Sequence, residues 1–296
     1  MQDRRAALML LAGLPGLGLA RHAPAGPPEL RVTLRAPDSP GDQRNLYVRE
    51  AVALALEKTR STHGGFLLRL TQPMNKRRAL LAARSNQPAN LLLTASPSAQ
   101  VEGLVPVPFP VHLGANGYRV CLVNEAVQPQ LRRVRSLQDL QGLRIVQGTG
   151  WADVEVLRGN GLAVAEVGAY EAMFRMVAMG RADLFCRGLL EVGDEWATHR
   201  GLAGLALDDQ LLLSYELPQY LYTHPGNRTL MERLLLGFNK AYADGSLQAL
   251  LRLHLQRSLA QLGTAARRVI ALQSPPHLTL AEAPNLRLDL RAELGT

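Results

Sequence analysis

The stretch that decides the fold is LRIVQGTGWADVEVLRGNGLAVAEVGAYEAMFRMVAMGRADLFC, residues 143–186. It alternates three short apolar runs with two amphipathic segments. The runs predict strands at 143–147, 163–167 and 182–186, and the segments predict helices at 152–158 and 169–179. Parallel strands joined by a crossover helix form a βαβ unit. This stretch therefore predicts an α/β lobe with a mostly parallel sheet.

The same alternation occurs nearer the N-terminus, so the chain contains a second unit of this kind. Apolar runs at 30–34, 66–70 and 90–94 predict strands, and the segments at 46–59 and 75–84 predict helices. Further strands are expected at 105–109, 118–123 and 220–223, and further helices at 189–198, 228–244 and 246–261. Two α/β units in 296 residues predict two lobes.

The N-terminus has the composition of a secretory signal peptide. Residues 1–5 are basic, residues 6–20 form an apolar run, and Ala23-Pro24-Ala25 supplies small residues for cleavage. The run is too short to cross a bilayer as a helix, which takes roughly 20 residues. We predict that residues 1–25 are a signal peptide, cut after Ala20 or Ala25, and that the mature chain works in the periplasm.

Composition argues against several classes of function. The formal net charge is +8, but only Lys58, Lys76 and Lys240 are lysines, so the excess reflects a general enrichment in arginine. The sequence contains no arginine and aromatic array of the kind that binds nucleic acid, and its histidines lack the paired spacing of metal ligands. We therefore expect no nucleic-acid partner, no metal and no cofactor.

The two cysteines, Cys121 and Cys186, each lie singly inside an apolar run. Neither has a second cysteine or a histidine nearby, which disfavours metal binding. We expect two buried free thiols. An exported location would permit a disulfide between them, and that alternative stays open.

Three motifs resemble parts of the type II periplasmic solute-binding proteins, in particular the polar-amino-acid receptors of ABC transporters. LQDLQGLRIVQGTG (137–150) is similar to the family's helical lead-in, strand and glycine-threonine turn. YEAMFRMVAMGRAD (170–183) is similar to its helix and Gly-Arg-x-Asp strand entry, and NKAYADGSL (239–247) to its closing helix-turn-helix.

The resemblance implies a two-lobed fold with a hinge, in which each lobe is a mostly parallel sheet flanked by helices. Lobe 1 would comprise residues 26–118 and 213–296, and lobe 2 residues 119–212. The lobes would close over a small-molecule ligand, because a ligand that contacts both lobes favours the closed state. It also implies a monomer that works with an ABC-transporter permease.

The turn Gly148-Thr149-Gly150 is the first candidate binding element. It precedes a helix that begins near Trp151, so backbone amides, the Thr149 hydroxyl and the helix dipole would converge on a carboxylate or another anion. The alternative is a simple strand-to-helix turn capped by Thr149. Trp151 would stack on the ligand or seal the cleft.

Arg187 is the second candidate, because it follows a predicted strand at the edge where α/β proteins bind ligands. Gly188 stands where amino-acid receptors of this branch place an aspartate for the ligand's amino group. Arg187 would instead attract an anion through bidentate hydrogen bonds. The alternative is an arginine that faces solvent or pairs at the hinge.

The first lobe lacks the arginine that clamps the α-carboxylate in these receptors. The matching stretch, 94–100, offers only Thr94, Ser96, Ser98 and Gln100, so a standard α-amino-acid ligand is not expected. Thr94 and Ser96 remain candidate hydrogen-bonding residues, unless they only cap a loop. Tyr47 is a candidate aromatic contact, with half-buried packing as the alternative.

These features favour an extracytoplasmic solute-binding protein, not an enzyme, that presents a small polar or anionic organic solute to an ABC transporter. One alternative is a dehydratase-like enzyme on the same fold, with Asp153, Glu171 or Glu191 as general acid or base. Another is a sensory module, or a degenerate receptor that has lost its ligand. The fold alone does not choose among these.

Overall fold

The computed structural model describes residues 29–37, 42–262, 267–288 and 290, without the side chains of residues 257 and 261. The predicted signal peptide, residues 1–25, and both of its predicted cleavage sites lie outside the described residues. Within the described part of the chain, no helix combines the length and apolar character that a membrane span needs.

Strands and helices alternate along the chain, as the sequence pattern predicts. The strands are β1 (Leu30–Leu34), β2 (Phe66–Leu70), β3 (Leu91–Ala95), β4 (Val105–Val107), β5 (Tyr118–Asn124), β6 (Arg144–Gly148), β7 (Ala163–Val167), β8 (Leu184–Gly188), β9 (Leu205–Leu207), β10 (Leu211–Ser214), β11 (Tyr220–Thr223) and β12 (Arg268–Ala271). The helices are α1 (Leu46–Glu57), α2 (Arg60–His63), α3 (Lys76–Arg84), α4 (Gln128–Leu131), α5 (Ala152–Gly159), α6 (Tyr170–Ala178), α7 (Val192–His199), α8 (Arg228–Ala243) and α9 (Ser246–Leu262).

The strands form two sheets, one in each lobe. The first has the order β2-β1-β3-β11-β4, and the second has the order β12-β10-β5-β8-β6-β7, with β9 paired to β5. In the first sheet β1 lies parallel to β2 and β3, whereas β11 is antiparallel to β3 and β4. In the second, β6 is parallel to β7 and β8, and β5 is antiparallel to β8. The predicted α/β class and two-lobed architecture are confirmed.

The C-terminal part of the chain corrects one predicted boundary. Residues 213–296 are expected in the first lobe, but of the strands described in that range only β11 joins the first sheet. β10 pairs with β5, and β12 pairs in parallel with β10 at the edge of the second sheet. The reason is local: Ile270 is buried in the second lobe's core while Val269 stays exposed, an alternation that suits an edge strand.

Residues 272–288 then run from the second lobe back to the first. Gln273 exchanges hydrogen bonds with Asn160 at the end of α5. Farther along, Leu280 and Ala283 pack on a core cluster of the first lobe, and the Leu288 amide donates to the Leu113 carbonyl. This segment connects both lobes along one side of the cleft.

The two cysteines correct another expectation, because they are bonded to each other. Cys121 and Cys186 are directly opposite on β5 and β8, and they form a disulfide. The antiparallel register brings the two side chains to the same face of the sheet, which the linear sequence does not reveal. The expected free thiols are therefore wrong. The disulfide joins the two strands whose ends carry Arg119 and Arg187.

Candidate functional site

A cavity of about 1070 Å³ lies between the lobes. On the first-lobe side it is bounded by the ends of β1 and β3, the start of α1 and the start of α3. On the second-lobe side it is bounded by the β6–α5 turn, the end of β8 and the residues around the start of β5. Because the parallel strands of each sheet end here, the cavity occupies the position in which α/β proteins bind ligands.

The lobes touch directly at the mouth of the cavity. The Gly150 carbonyl accepts hydrogen bonds from Lys76 Nζ at 2.7 Å and from the Gln100 side-chain amide at 3.0 Å. Gly150 has φ +70°, and a Cβ there would lie 2.2 Å from the Gln100 amide nitrogen. Glycine is therefore needed for this close approach. Burial lowers the pKa of Lys76 to about 8, helped by the nearby Arg35 charge and opposed by Asp153.

Arg187, at the end of β8, is buried with only 2% of its surface exposed. Its Nε lies 2.8 Å from one oxygen of Glu195 and its Nη2 lies 2.9 Å from the other. The guanidinium also lies 4.6 Å from the centre of the Trp151 ring. Burial lowers the pKa of Arg187, but attraction to Glu191 and Glu195 outweighs it and raises the pKa well above its usual value. The guanidinium therefore stays charged.

Arg119, at the start of β5, is the second buried arginine of the cleft. Its Nη2 lies 3.0 Å from Asp153 Oδ1, which also accepts a 2.7 Å hydrogen bond from the Tyr215 hydroxyl. Within the described residues, Arg119 Nε is buried without a hydrogen-bond partner. Buried donors are rarely left unsatisfied, so this nitrogen is an exception among the polar atoms around the cleft.

Glu191, just before α7, lies between these two arginines. Its Oε2 is 2.9 Å from Arg187 Nη2 and 3.5 Å from Arg119 Nη1, and it accepts a hydrogen bond from the Gly188 amide. Burial raises the pKa of Glu191, but attraction to Arg187, Arg119 and Arg44 outweighs it and lowers the pKa below its usual value. The carboxylate is therefore ionised at neutral pH.

Arg44, which lines the cavity from the first lobe, contacts Tyr170 of the second lobe. The Arg44 guanidinium lies 3.9 Å from the centre of the Tyr170 ring and makes a two-point contact with Asp42. The Tyr170 hydroxyl donates to Glu195, the carboxylate that also holds Arg187. The contact between Arg44 and Tyr170 therefore joins the two lobes beside the cavity.

His112 adds a neutral polar group to the cavity lining. It is 6% exposed, and its Nδ1 is a buried atom without a hydrogen-bond partner in the described part of the chain. Burial lowers the pKa of His112 to about 4, while Glu191 raises it and Arg119 lowers it. The ring is therefore uncharged at pH 7 and is available to exchange a hydrogen bond with a solute. Asn116, also buried, lines the same part of the cavity.

The turn at Thr149 does not present free amides to the cavity. The Thr149 amide donates to the Val167 carbonyl, the Gly150 amide to Glu166, and the Trp151 amide to the Gly148 carbonyl. The Thr149 side chain is exposed, and Thr149 is not among the residues that line the cavity. Of this predicted group, Gly150 and Trp151 line the cavity. The predicted convergence of hydrogen-bond donors does not form, because the three amides already donate to acceptors in the neighbouring strand and turn.

The other candidates divide between the cavity and the core. Thr94, Ser96 and Arg187 line the cavity, although the Ser96 hydroxyl donates to the Pro218 carbonyl. Tyr47 does not line it: the ring is buried against His112 and His254, and its hydroxyl donates to the Val111 carbonyl. The structure thus places Tyr47 in the packing position that the sequence analysis gave as the alternative.

Sequence reasoning missed Arg119, Glu195 and His112 and placed little weight on Glu191. Arg119 and Arg187 are far apart in sequence, and they become neighbours because β5 pairs with β8 so that Arg119 lies opposite Gly188. A signal was present in the spacing of Arg187, Glu191 and Glu195, which are four residues apart, as in a helical ion-pair series. Among the described residues, no group of three or more acidic, histidine or cysteine side chains is arranged to hold a metal ion.

Comparisons with known proteins found similarity only at the level of structure. No family model matches the sequence, and no curated protein matches it either. Several solved structures have a similar fold at low sequence identity.

An ancestral arginine-binding protein bound to arginine is 15% identical, with a TM-score of 0.52, and the match covers 75% of this chain and 96% of that one. An amino-acid ABC-transporter substrate-binding protein from Streptococcus pneumoniae bound to L-arginine is 13% identical, with a TM-score of 0.52, and the match covers 78% and 95%. A TRAP periplasmic solute-binding protein from Desulfovibrio salexigens in complex with diglycerolphosphate is 10% identical, also with a TM-score of 0.52, and the match covers 82% and 86%.

These structures share two lobes around a cleft, and two of them belong to amino-acid systems. The low identity establishes the architecture rather than the ligand. The chain therefore has the two-lobed, type II fold of the periplasmic solute-binding proteins.

Proposed function

We propose that the protein is an extracytoplasmic solute-binding protein that captures a small polar organic solute between its lobes and presents it to an ABC-transporter permease. The observation that carries this proposal is the cavity of about 1070 Å³ between the lobes, lined by polar groups from both. That volume is slightly above the usual range for small-molecule sites, about 300–1000 Å³.

The contacts between the lobes support binding by closure. Lys76 and Gln100 of the first lobe reach across to Gly150 of the second. A solute that touched Thr94 on one side and Trp151 on the other would add to these contacts only when the lobes are closed. It would therefore shift the equilibrium toward the closed form.

The sequence and the disulfide support an extracytoplasmic location. Residues 1–25 have the composition of a signal peptide. A disulfide between Cys121 and Cys186 persists most readily in an oxidising compartment such as the periplasm. We also propose that the protein works as a monomer with a permease, and the similarity to a substrate-binding protein of an amino-acid ABC transporter supports the permease partner.

Binding without turnover is the activity that we propose. The similar structures described above are those of solute-binding proteins, and the cleft carboxylates Asp153 and Glu191 are engaged by buried arginines. Attraction to Arg187, Arg119 and Arg44 lowers the pKa of Glu191 although burial raises it, so Glu191 is not well placed to act as a general acid near pH 7.

A thermal-shift screen of the mature protein tests the proposal. The panel contains amino acids, dicarboxylates, aromatic acids, short peptides and polyamines. A ligand at 100 times its dissociation constant adds about 2.7 kcal/mol to the free energy of unfolding. We expect one chemical class to stabilise the protein. Stabilisation by no class would contradict the proposal.

Two matched variants locate the binding event. Asn116→Leu changes the cavity lining, whereas Asn285→Leu makes the same change at an exposed position outside it. Stabilisation by the solute should weaken in the first variant and persist in the second. Equal responses in both variants would place the binding outside the cleft.

A further inference from the structure

The two buried arginines of the cleft converge on one side chain of the chain itself. Arg187 Nη2 and Arg119 Nη1 lie 2.9 Å and 3.5 Å from the same oxygen, Oε2 of Glu191. Guanidinium groups arranged in this way are well suited to hold a carboxylate. Glu191 therefore occupies the position that an anionic group of a solute would need to reach both arginines.

Gly188, at the end of β8, leaves room for Arg119 and Glu191 to meet. A Cβ at Gly188 would lie 2.7 Å from Arg119 Nη1 and 3.2 Å from Glu191 Oε2. The first distance is shorter than side chains tolerate, so glycine provides the space in which the arginine and the glutamate meet. The Gly188 amide also donates to the same glutamate oxygen.

Each of the two arginines already has a carboxylate partner other than Glu191. We call the surface formed by Arg119, Arg187 and these carboxylates the floor of the cleft. Arg187 already has Glu195 as a two-point partner, and Arg119 already has Asp153. Two guanidinium groups thus face three carboxylates. Arg44, whose charge also lowers the pKa of Glu191, is itself paired with Asp42, and Lys76 donates to the Gly150 carbonyl.

Glu191 is also the most accessible of these three carboxylates. Its side chain is 19% exposed and lines the cavity, whereas the side chains of Glu195 and Asp153 are 6% and 8% exposed. The contacts of Glu191 with the arginines and with Gly188 all use Oε2. Its other oxygen, Oε1, accepts no hydrogen bond from the described residues and is the one left to meet a solute.

We infer that Glu191 determines the specificity of the cleft: it blocks the arginine pair against carboxylates and selects a solute that brings a cationic hydrogen-bond donor, such as an ammonium group, to the floor. The selection of a solute rests on the proposed function. The blocking of the arginines does not, because it depends only on the contacts of Glu191 with Arg119 and Arg187.

Isothermal titration with two probes of opposite charge tests this inference. Putrescine and succinate are four-carbon chains with two ammonium and two carboxylate groups, respectively. Wild type should bind putrescine more tightly than succinate. In Glu191→Gln the order should reverse, because the side chain keeps its shape but loses its charge. Succinate affinity should rise about tenfold or more, the equivalent of one charge-assisted contact.

Two further variants complete the design. Glu125→Gln removes the same charge from an exposed position of the second lobe away from the cavity, and it should keep the wild-type preference. Glu191→Asp keeps the charge on a shorter side chain, and it should gain less succinate affinity than Glu191→Gln. Circular dichroism checks that each variant is folded, and Glu191→Ala, which also removes the charge, tests the same reversal of preference if Glu191→Gln does not fold.

The outcomes separate this inference from the proposed function. A wild-type preference for succinate, or an unchanged succinate affinity in Glu191→Gln, would overturn the role of Glu191 even if the protein binds a solute. If no solute stabilises wild type but Glu191→Gln gains succinate binding, the blocked arginine pair is supported and the receptor role is the part that fails.

Discussion

Arg187 and Arg233 are equally buried, at 2% exposure each, but they are neutralised in opposite ways. Arg187 lies at the cleft and is held by the carboxylates of Glu191 and Glu195. Arg233, on α8 of the first lobe, has no carboxylate among the partners that the structure describes. It donates instead to the Thr59 hydroxyl and to the carbonyls of Leu56, His63, Gly64 and Gly65.

The carbonyl partners of Arg233 lie at or just after the ends of α1 and α2, where helices leave backbone acceptors that need further donors. A cation at this position also interacts favourably with the negative end of the helix dipole. Burial and the nearby Arg60 lower the pKa of Arg233, opposed by Glu57. Arg233 therefore joins helix ends within a core, and nothing about it requires a ligand.

The comparison teaches that burial of an arginine does not by itself indicate a binding site. The backbone carbonyls around Arg233 satisfy it without any surplus charge. At the cleft the partners are three carboxylate side chains in contact with two arginines, Arg119 and Arg187, beside a cavity. Surplus charge beside a cavity is what makes the second arrangement a candidate site.

The largest effect on stability is expected for Arg187→Met, which leaves Glu195 and Glu191 buried without their main partner. Removing one member of a buried ion pair costs about 3–5 kcal/mol. Urea denaturation followed by circular dichroism measures the loss. Because an unpaired buried carboxylate has a raised pKa in the folded state, the loss should shrink as the pH falls from 7 to 5.

The double variant Arg187→Met, Glu195→Gln is the control for this change. It removes one of the unpaired charges, so it should be more stable than Arg187→Met alone. A double variant that is less stable than the single one would contradict the assignment of the ion pair as the source of the loss.

Arg233→Met should lower the free energy of unfolding by about 2–4 kcal/mol, because several carbonyls lose their donor. Unlike Arg187→Met, it leaves no buried carboxylate, so its effect should not vary between pH 7 and pH 5. The same urea titrations measure both quantities. Arg233→Lys keeps the charge and part of the bonding, and it should recover some stability. A strong pH dependence of the stability loss in Arg233→Met would contradict the assignment of uncharged partners to Arg233.

Reduction of the disulfide should lower the free energy of unfolding by about 2–4 kcal/mol, since the bond closes a loop between residues 65 apart in sequence. The bond joins β5 and β8, the strands that carry Arg119 and Arg187. Its reduction should therefore destabilise the region around Arg187 rather than the region around Arg233. Urea denaturation with and without a reductant measures it. The variant Cys121→Ala, Cys186→Ala is the control and should not respond to the reductant.

His112 should give the smallest effect, seen only at acid pH. Its pKa is about 4 in the folded protein, because burial lowers it, compared with 6.5 for an unperturbed histidine. Between these values the unfolded chain binds a proton that the folded chain does not, so stability falls as the pH drops from 6.5 toward 4. The difference relative to His112→Gln should reach roughly 2–3 kcal/mol. A difference that does not change with pH would contradict a neutral, buried His112.

The sequence predicted most of the fold because the elements have strong local periodicity. β1, β2, β7 and β11 begin and end at the predicted residues, and the other predicted strands and helices lie within about three residues of their expected bounds. β12 escaped detection because Arg268–Ala271 is only four residues long. An edge strand of that kind is decided by pairing with β10 rather than by its own composition.

The candidate site was less predictable, because hydrogen bonding between distant segments decides which groups remain free. Thr149 looked like an anion-binding turn, but Val167 and Glu166 occupy the amides of Thr149 and Gly150. Arg187 could be predicted as a cleft residue because it follows a predicted strand. The carboxylates that neutralise it could be suspected from their spacing, but their contacts could not be derived from it.

Hydrophobic periodicity and the order of elements along the chain are properties of the sequence, so the α/β class, the two lobes and the position of Arg187 at a strand end could be predicted from it. Only the tertiary structure decided that Cys121 bonds to Cys186, that Tyr47 packs in the core, and that Glu191 lies between Arg119 and Arg187. The physical reason is that charge pairing and disulfide formation depend on distances of a few ångströms between residues far apart in the chain, and strand register sets those distances.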